Sequence, residues 1–144
     1  MPMKEREVTV RGEYILRLQK DEDVLPTMIA FCKKRGIKSG SFKAIGAVKE
    51  SKIGYYDLAS KKYGTIEYPE EREVASMIGN VSLVDGAPFI HAHAILSDMK
   101  RNEPIGGHVF EAKVAVTLEV HLTAFNESIS RALDNDIGLK LLDI

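Results

Sequence analysis

The sequence predicts an α+β fold, a mainly antiparallel β-sheet flanked by helices. Two observations carry that expectation. One stretch, Asp21 to Gly36, repeats its apolar residues at helical spacing. Most of the remainder consists of short apolar or alternating runs broken by glycine and Asp-Gly turn signals, the pattern of turn-linked strands with helix packed on them. The 144 residues, 44% apolar and 28% charged, are those of a globular chain that can bury a core, and one domain over residues 1–144 is expected.

Val8 to Arg11 and Tyr14 to Leu18 read as short strands around Gly12. The helix follows. Asp21, Glu22 and Asp23 suit its positive end, and Pro26 is tolerated in a first turn. Val24, Leu25, Met28, Ile29 and Cys32 form one stripe, Lys33, Lys34 and Arg35 suit the negative end, and Gly36 can close it. Ser41 to Asp57 is a long extended stretch, bent at Gly46 or Gly54. Glu73 to Val84 is a further strand, and the turn Asp85 to Pro88 leads into the next. Lys113 to Thr123 alternates most cleanly. Val114, Val116, Leu118, Val120 and Leu122 are expected on one face, with Lys113, Ala115, Thr117, Glu119, His121 and Thr123 on the other. Near the end, the run from Glu127 to Asn135 reads as a short helix and Gly138 to Leu142 as a final strand.

The chemistry concentrates in "PFIHAHAILSD", Pro88 to Asp98. Residues two apart in a strand face the same way, so His91 and His93 share a face and can converge on one ion. His108 follows Gly106 and Gly107, which permit close backbone approach or a bulge that re-aims a side chain. Three neutral imidazoles and an open position describe a site for Zn2+ or a similar divalent transition metal. The competing picture is two half-buried histidines hydrogen-bonded to Asp98, Glu111 or backbone. Asp98 and Glu111 would otherwise orient the ligand rings. His121, sharing a face with Lys113 and Glu119, reads as a solvated or interface histidine. Cys32 reads as core, and the Tyr55–Tyr56 pair with Tyr63 as packing before ligand stacking.

Several classes are excluded or demoted. A net charge of -1 gives no global attraction to nucleic acid or anionic lipid. A single cysteine allows neither an internal disulfide nor a cysteine zinc cage. The start, MPMKEREVTV, lacks the apolar core of a secretory signal, and no run is long enough to span a bilayer, so a cytoplasmic protein without membrane contact is expected. Phosphate-loop, dinucleotide and serine-nucleophile motifs are missing.

With "SGSFKAIGAV", "GYYD", "GNVSL", "PFIHAHAILSD" and "GGHVFEAKVAVTLEVHL" in this order, the sequence resembles the plants-and-prokaryotes conserved (PPC) domain family, from about Glu13 onward. The resemblance implies an antiparallel sheet flanked by helices, assembled as a homotrimer. It also places His91, His93 and His108 at the histidine positions of a metal-binding prokaryotic form. Plant relatives carry the domain behind Arg-Gly-Arg-Pro segments that enter DNA. This sequence has no such segment, so DNA is expected as a weak partner only. The expected function is a metal-binding trimer with a regulatory or binding role, the alternative being a metal-dependent hydrolase with an open water position on the three histidines.

Overall fold

The computed structural model describes residues 2–144. Eight strands and one helix follow in the order β1 (Val10–Gln19), α1 (Val24–Arg35), β2 (Gly40–Asp57), β3 (Lys62–Tyr68), β4 (Arg72–Val84), β5 (Ala87–Asp98), β6 (Glu103–Phe125), β7 (Arg131–Asp134) and β8 (Leu139–Leu142). Every strand ladder is antiparallel. The large sheet runs β1-β6-β5-β4-β2-β3, and β2 also pairs with β6, so β2, β4, β5 and β6 close a ring. Closure is possible because β6 has 23 residues. It pairs with β5 through Glu103–His108, with β2 through His108–Ala124 and with β1 through Thr117–Phe125. A closed ring leaves those four strands without an open edge, which open sheets must protect by other means.

The antiparallel sheet is as expected, but the flanking helices reduce to one. The run Glu127–Asn135, read as a helix, instead forms β7 and the turn into β8. Its physical reason is local. The Asp134 carboxylate accepts the N–H groups of Asp136 and Ile137, closing a turn at the end of the run. The final strand lies where expected. Strand β3 was not anticipated, and the two runs around Gly12 are one strand with an irregularity between Val10 and Gly12.

Helix α1 buries Val24, Met28 and Cys32 completely against the sheet. Desolvation pushes the Cys32 thiol up to about 11, as befits a core thiol. Gly36 adopts the left-handed conformation (φ 63) that ends the helix. The Arg11 guanidinium donates to the carbonyls of Arg35 and Gly36, which helix termination leaves open. The β4–β5 connection is a two-residue hairpin in which Asp85 (φ 51) and Gly86 (φ 78) are both left-handed, the Asp-Gly signature of a primed turn.

The alternation of β6 breaks at one point. Val114, Leu118, Val120 and Leu122 are buried, but Val116 is 65% exposed and Ala115 is 3% exposed. Between Val114 and Leu118 the pairing with β2 shifts register, so β6 bulges there and the two residues exchange faces. Thr117 Oγ1 is left buried without a hydrogen-bond partner at this bulge.

Candidate metal centre

Strand β5 carries His91 and His93, and β6 carries His108 directly opposite His93. His91 is then the diagonal neighbour of His108 across the same pair of strands, within reach of a long side chain. The ring centroids stand 5.0 Å (His91–His93), 5.1 Å (His91–His108) and 5.5 Å (His93–His108) apart. One ring nitrogen from each lies within 4.8 Å of the other two. The structure therefore brings all three predicted histidines together. The β5–β6 register is regular through His93–His108, while on its other side β6 shifts register against β2 between Val109 and Glu111, an irregularity beside His108 as expected. The double glycine also acts through close approach. A Cβ on Gly107 would lie 2.5 Å from the Gly54 carbonyl oxygen, so β2 can reach β6 only where that carbon is missing.

His91 Nε2 and His93 Nε2 are 3.2 Å apart. Two nitrogens bound to one tetrahedral zinc at its usual bond lengths stand about 3.3 Å apart. Three imidazoles fit a small divalent ion in chemistry, and the His91–His93 pair has the spacing of two of its ligands. Burial, followed by the charges of Arg131, His108 and His93, pushes His91 down to about 4. Burial, followed by His93 and Arg131, also lowers His108. Both rings are neutral at pH 7, the form a metal requires.

Arg131 of β7 occupies the far side of His91, with Nη2 3.3 Å from Nδ1. A guanidinium can only donate, so Nδ1 accepts there, and the ring proton of neutral His91 then sits on Nε2, hydrogen-bonded to His93 Nε2. Ligating histidines ordinarily donate this second nitrogen's proton to an acceptor, which raises their basicity. An ion on His91 Nε2 would therefore require the proton to move to Nδ1 and the Arg131 contact with that atom to give way. Arg131 also donates to Ser82 Oγ (2.8 Å), Asn80 Oδ1 (2.9 Å) and the Lys140 carbonyl (3.1 Å), and lies over the Phe89 ring.

The histidines open onto a cleft of about 650 Å³ lined chiefly by aromatic and aliphatic side chains. Tyr63 packs on His108 and Phe110, and Tyr56 packs on Tyr63. Burial raises the Tyr63 hydroxyl above its ordinary value, so it stays protonated.

The carboxylates considered as ring-orienting partners are elsewhere. Asp98 accepts the backbone N–H groups of Lys100 and Arg101 at the β5–β6 turn, and Glu111 lines a different cavity. His121 pairs with Glu13 at 3.2 Å, away from the cluster. Arg131 and Asn80 were not singled out in the sequence. Asn80 had a weak signal as the residue that a β4–β5 hairpin centred on Asp85-Gly86 sets opposite His91.

A closed antiparallel ring with a single packed helix and three clustered imidazoles beside an aromatic cleft defines the structural class. The chain belongs to the Plants and Prokaryotes Conserved (PCC) domain family, whose sequence profile matches residues 5–126. A metal-containing protein of Archaeoglobus fulgidus is 38% identical, with 96% of this chain and 98% of that one covered at a TM-score of 0.91. A plant- and prokaryote-conserved protein of Pyrococcus horikoshii is 35% identical, with 99% and 98% covered at 0.91. A protein of Bacteroides thetaiotaomicron named as a candidate DNA-binding protein is 26% identical, with 94% and 96% covered at 0.86. No curated protein sequence matches significantly.

Proposed function

We propose that this PCC-domain protein binds one zinc or similar divalent transition ion per chain on His91, His93 and His108, and that it works as a homotrimer with a ligand-binding or regulatory role. The convergence of three imidazole nitrogens within 4.8 Å carries the reading. The metal-containing Archaeoglobus relative supports it. Bound there, the ion would supply a Lewis-acidic position facing the cleft. The chain's own residues keep two of the rings neutral, shield one side with Tyr63 and Phe110, and place a guanidinium on the other.

Hydrolysis is the weaker alternative. Activating a water calls for a base within reach, commonly a carboxylate, and no Asp or Glu is among the residues lining the cleft. DNA enters as a weak partner, because the net charge is -1 and no Arg-Gly-Arg-Pro segment is present. No helix is long and apolar enough to cross a membrane, and a cytoplasmic location goes with this reading.

Protein purified with zinc present should carry about one ion per chain by inductively coupled plasma mass spectrometry. The double variant His91→Ala, His93→Ala should carry almost none. Undiminished stoichiometry in the folded double variant would remove the proposal.

A further inference from the structure

We propose that the cleft above the three histidines takes an organic carboxylate, its head paired with Arg131 and its apolar body held by the aromatic wall. The inference deepens the metal reading, since an ion on the histidines would add positive charge beside Arg131. The arginine contact itself does not depend on that ion.

Arg131 is a half-buried cation held entirely by neutral acceptors: the Ser82 hydroxyl, the Asn80 amide, the Lys140 carbonyl and His91 Nδ1. Among the described residues it forms no ion pair with a carboxylate, whereas the buried Arg72 has Glu70 at 2.6 Å and the neighbouring Lys140 has Asp85 at 2.9 Å. Burying a charge is costly unless a counter-charge accompanies it, so the anion that Arg131 lacks within the chain is expected from outside. Without an ion its four bonds commit Nε, both Nη2 protons and one Nη1 proton, leaving one Nη1 N–H for a ligand; an ion on His91 Nε2 frees one Nη2 N–H as well. No Asp or Glu lines the cleft, so nothing there opposes the positive field.

The walls decide which anion. Tyr56, Tyr63, Phe89, Phe110 and Leu139 present apolar surface, and the volume of about 650 Å³ is in the usual range for sites that enclose a small organic molecule. A phosphate group asks for several donors around three oxygens. Arg131 has at most two uncommitted N–H groups, and Lys140 is engaged by Asp85. A carboxylate on an apolar or aromatic body matches both this limited donor supply and the walls.

The test is isothermal titration at low ionic strength and pH 7.5, with benzoate as the probe and benzamide and inorganic phosphate as comparisons. It is run on zinc-free and zinc-loaded protein whose metal content is measured in the same preparation. Benzoate should bind at least about tenfold more tightly than benzamide, because only benzoate brings the counter-charge. Arg131→Gln should abolish that preference, and Arg131→Lys should retain part of it. Arg131 ties β7 to β4, so should the variants fail to fold, the wild-type benzoate-to-benzamide ratio decides alone. A ratio near one, no binding of benzoate, an unchanged ratio in folded Arg131→Gln, or tighter binding of phosphate would each overturn the proposal. Benzoate selectivity in protein that cannot load zinc would sustain this inference and end the metal reading; zinc loading without selectivity would do the opposite.

Discussion

Two cavities of nearly equal size share Phe110 as a common wall, and they differ in how charge is balanced. The one of about 610 Å³ is lined by Asp23, Glu50, Lys52, Glu67, Glu111 and Lys113, with Lys113 and Glu50 paired at 3.2 Å. The one of about 650 Å³ has three histidines and Arg131 among its lining and no acidic side chain. Volume does not tell the two apart. The four carboxylates of the first outnumber its two lysines, but all four are exposed, and solvated surface charges need no further partner. A half-buried guanidinium with only neutral acceptors, next to neutral imidazoles whose nitrogens converge, leaves both a cation site and an anion site unfilled by the chain. On this contrast the imidazole cleft is the one proposed as functional.

The largest effect that would sharpen this contrast concerns assembly. Ile15 (77%), Ile45 (59%), Ile78 (60%) and Ile95 (51%) are exposed on the outside of the ring. Ile78 is the direct cross-strand partner of His93, so this apolar surface borders the imidazole cleft. Contiguous exposed apolar patches mark contact sites. Exposure moves the expected contact away from Ala115, which is core, and onto these isoleucines. By analytical ultracentrifugation the wild type should be a trimer, and Ile15→Glu with Ile78→Glu should yield folded monomers, with zinc retention impaired and the charged cavity unaltered. A monomeric wild type would end the assembly proposal.

Acid should separate the cavities next. An unfolded histidine takes its proton near pH 6.5, while folded His91 resists protonation down to about pH 4. Between those values the unfolded chain binds more protons, so stability falls as pH drops through the window and levels below it. The contribution is full above about pH 6.5. For zinc-free protein, the thermal midpoint of wild type relative to His91→Gln should fall from pH 7 to pH 4.5, and the loss should be steeper with zinc bound, because protons displace the metal. Parallel pH profiles for the two proteins would show that His91 is not held neutral by the fold.

Much of this site was legible beforehand, for a physical reason. Strand periodicity alone puts His91 and His93 on one face, and the Asp85-Gly86 turn identifies their strand. His108 was legible only beside its double glycine: the register sets it opposite His93, Gly107 admits β2, and β6 shifts register against β2 just beyond it. Arg131 was not legible at all. It lies 40 residues from His91 and reaches it because β7 docks on β4, a tertiary event with no local signature. The exchange of Ala115 and Val116 was hidden for a related reason, since a bulge depends on the partner strand as well as on the residues that bulge. The missing second helix reflects the turn chemistry of Asp134 overriding a weak apolar pattern.

The smallest expected effect lies in the charged cavity and serves as the other half of the comparison. The Lys113 and Glu50 side chains are 31% and 55% exposed, so water screens their attraction at 3.2 Å. Exposed pairs of this kind contribute about 0.2–1 kcal/mol. A double-mutant cycle with Lys113→Gln and Glu50→Gln, followed by urea unfolding, should return a coupling in that range that shrinks as salt is raised. Zinc content and benzoate selectivity should stay at wild-type values, because neither residue reaches the imidazole cleft. Removing Arg131, by contrast, takes away the one guanidinium that lines the functional cavity and the bonds that tie β7 to β4. A coupling of about 3 kcal/mol or more in the Lys113–Glu50 cycle, which is the scale of a buried pair, would show that the charged cavity is desolvated. So would loss of zinc in either of its variants show that the two cavities act as one, and the distinction drawn from charge balance would fall.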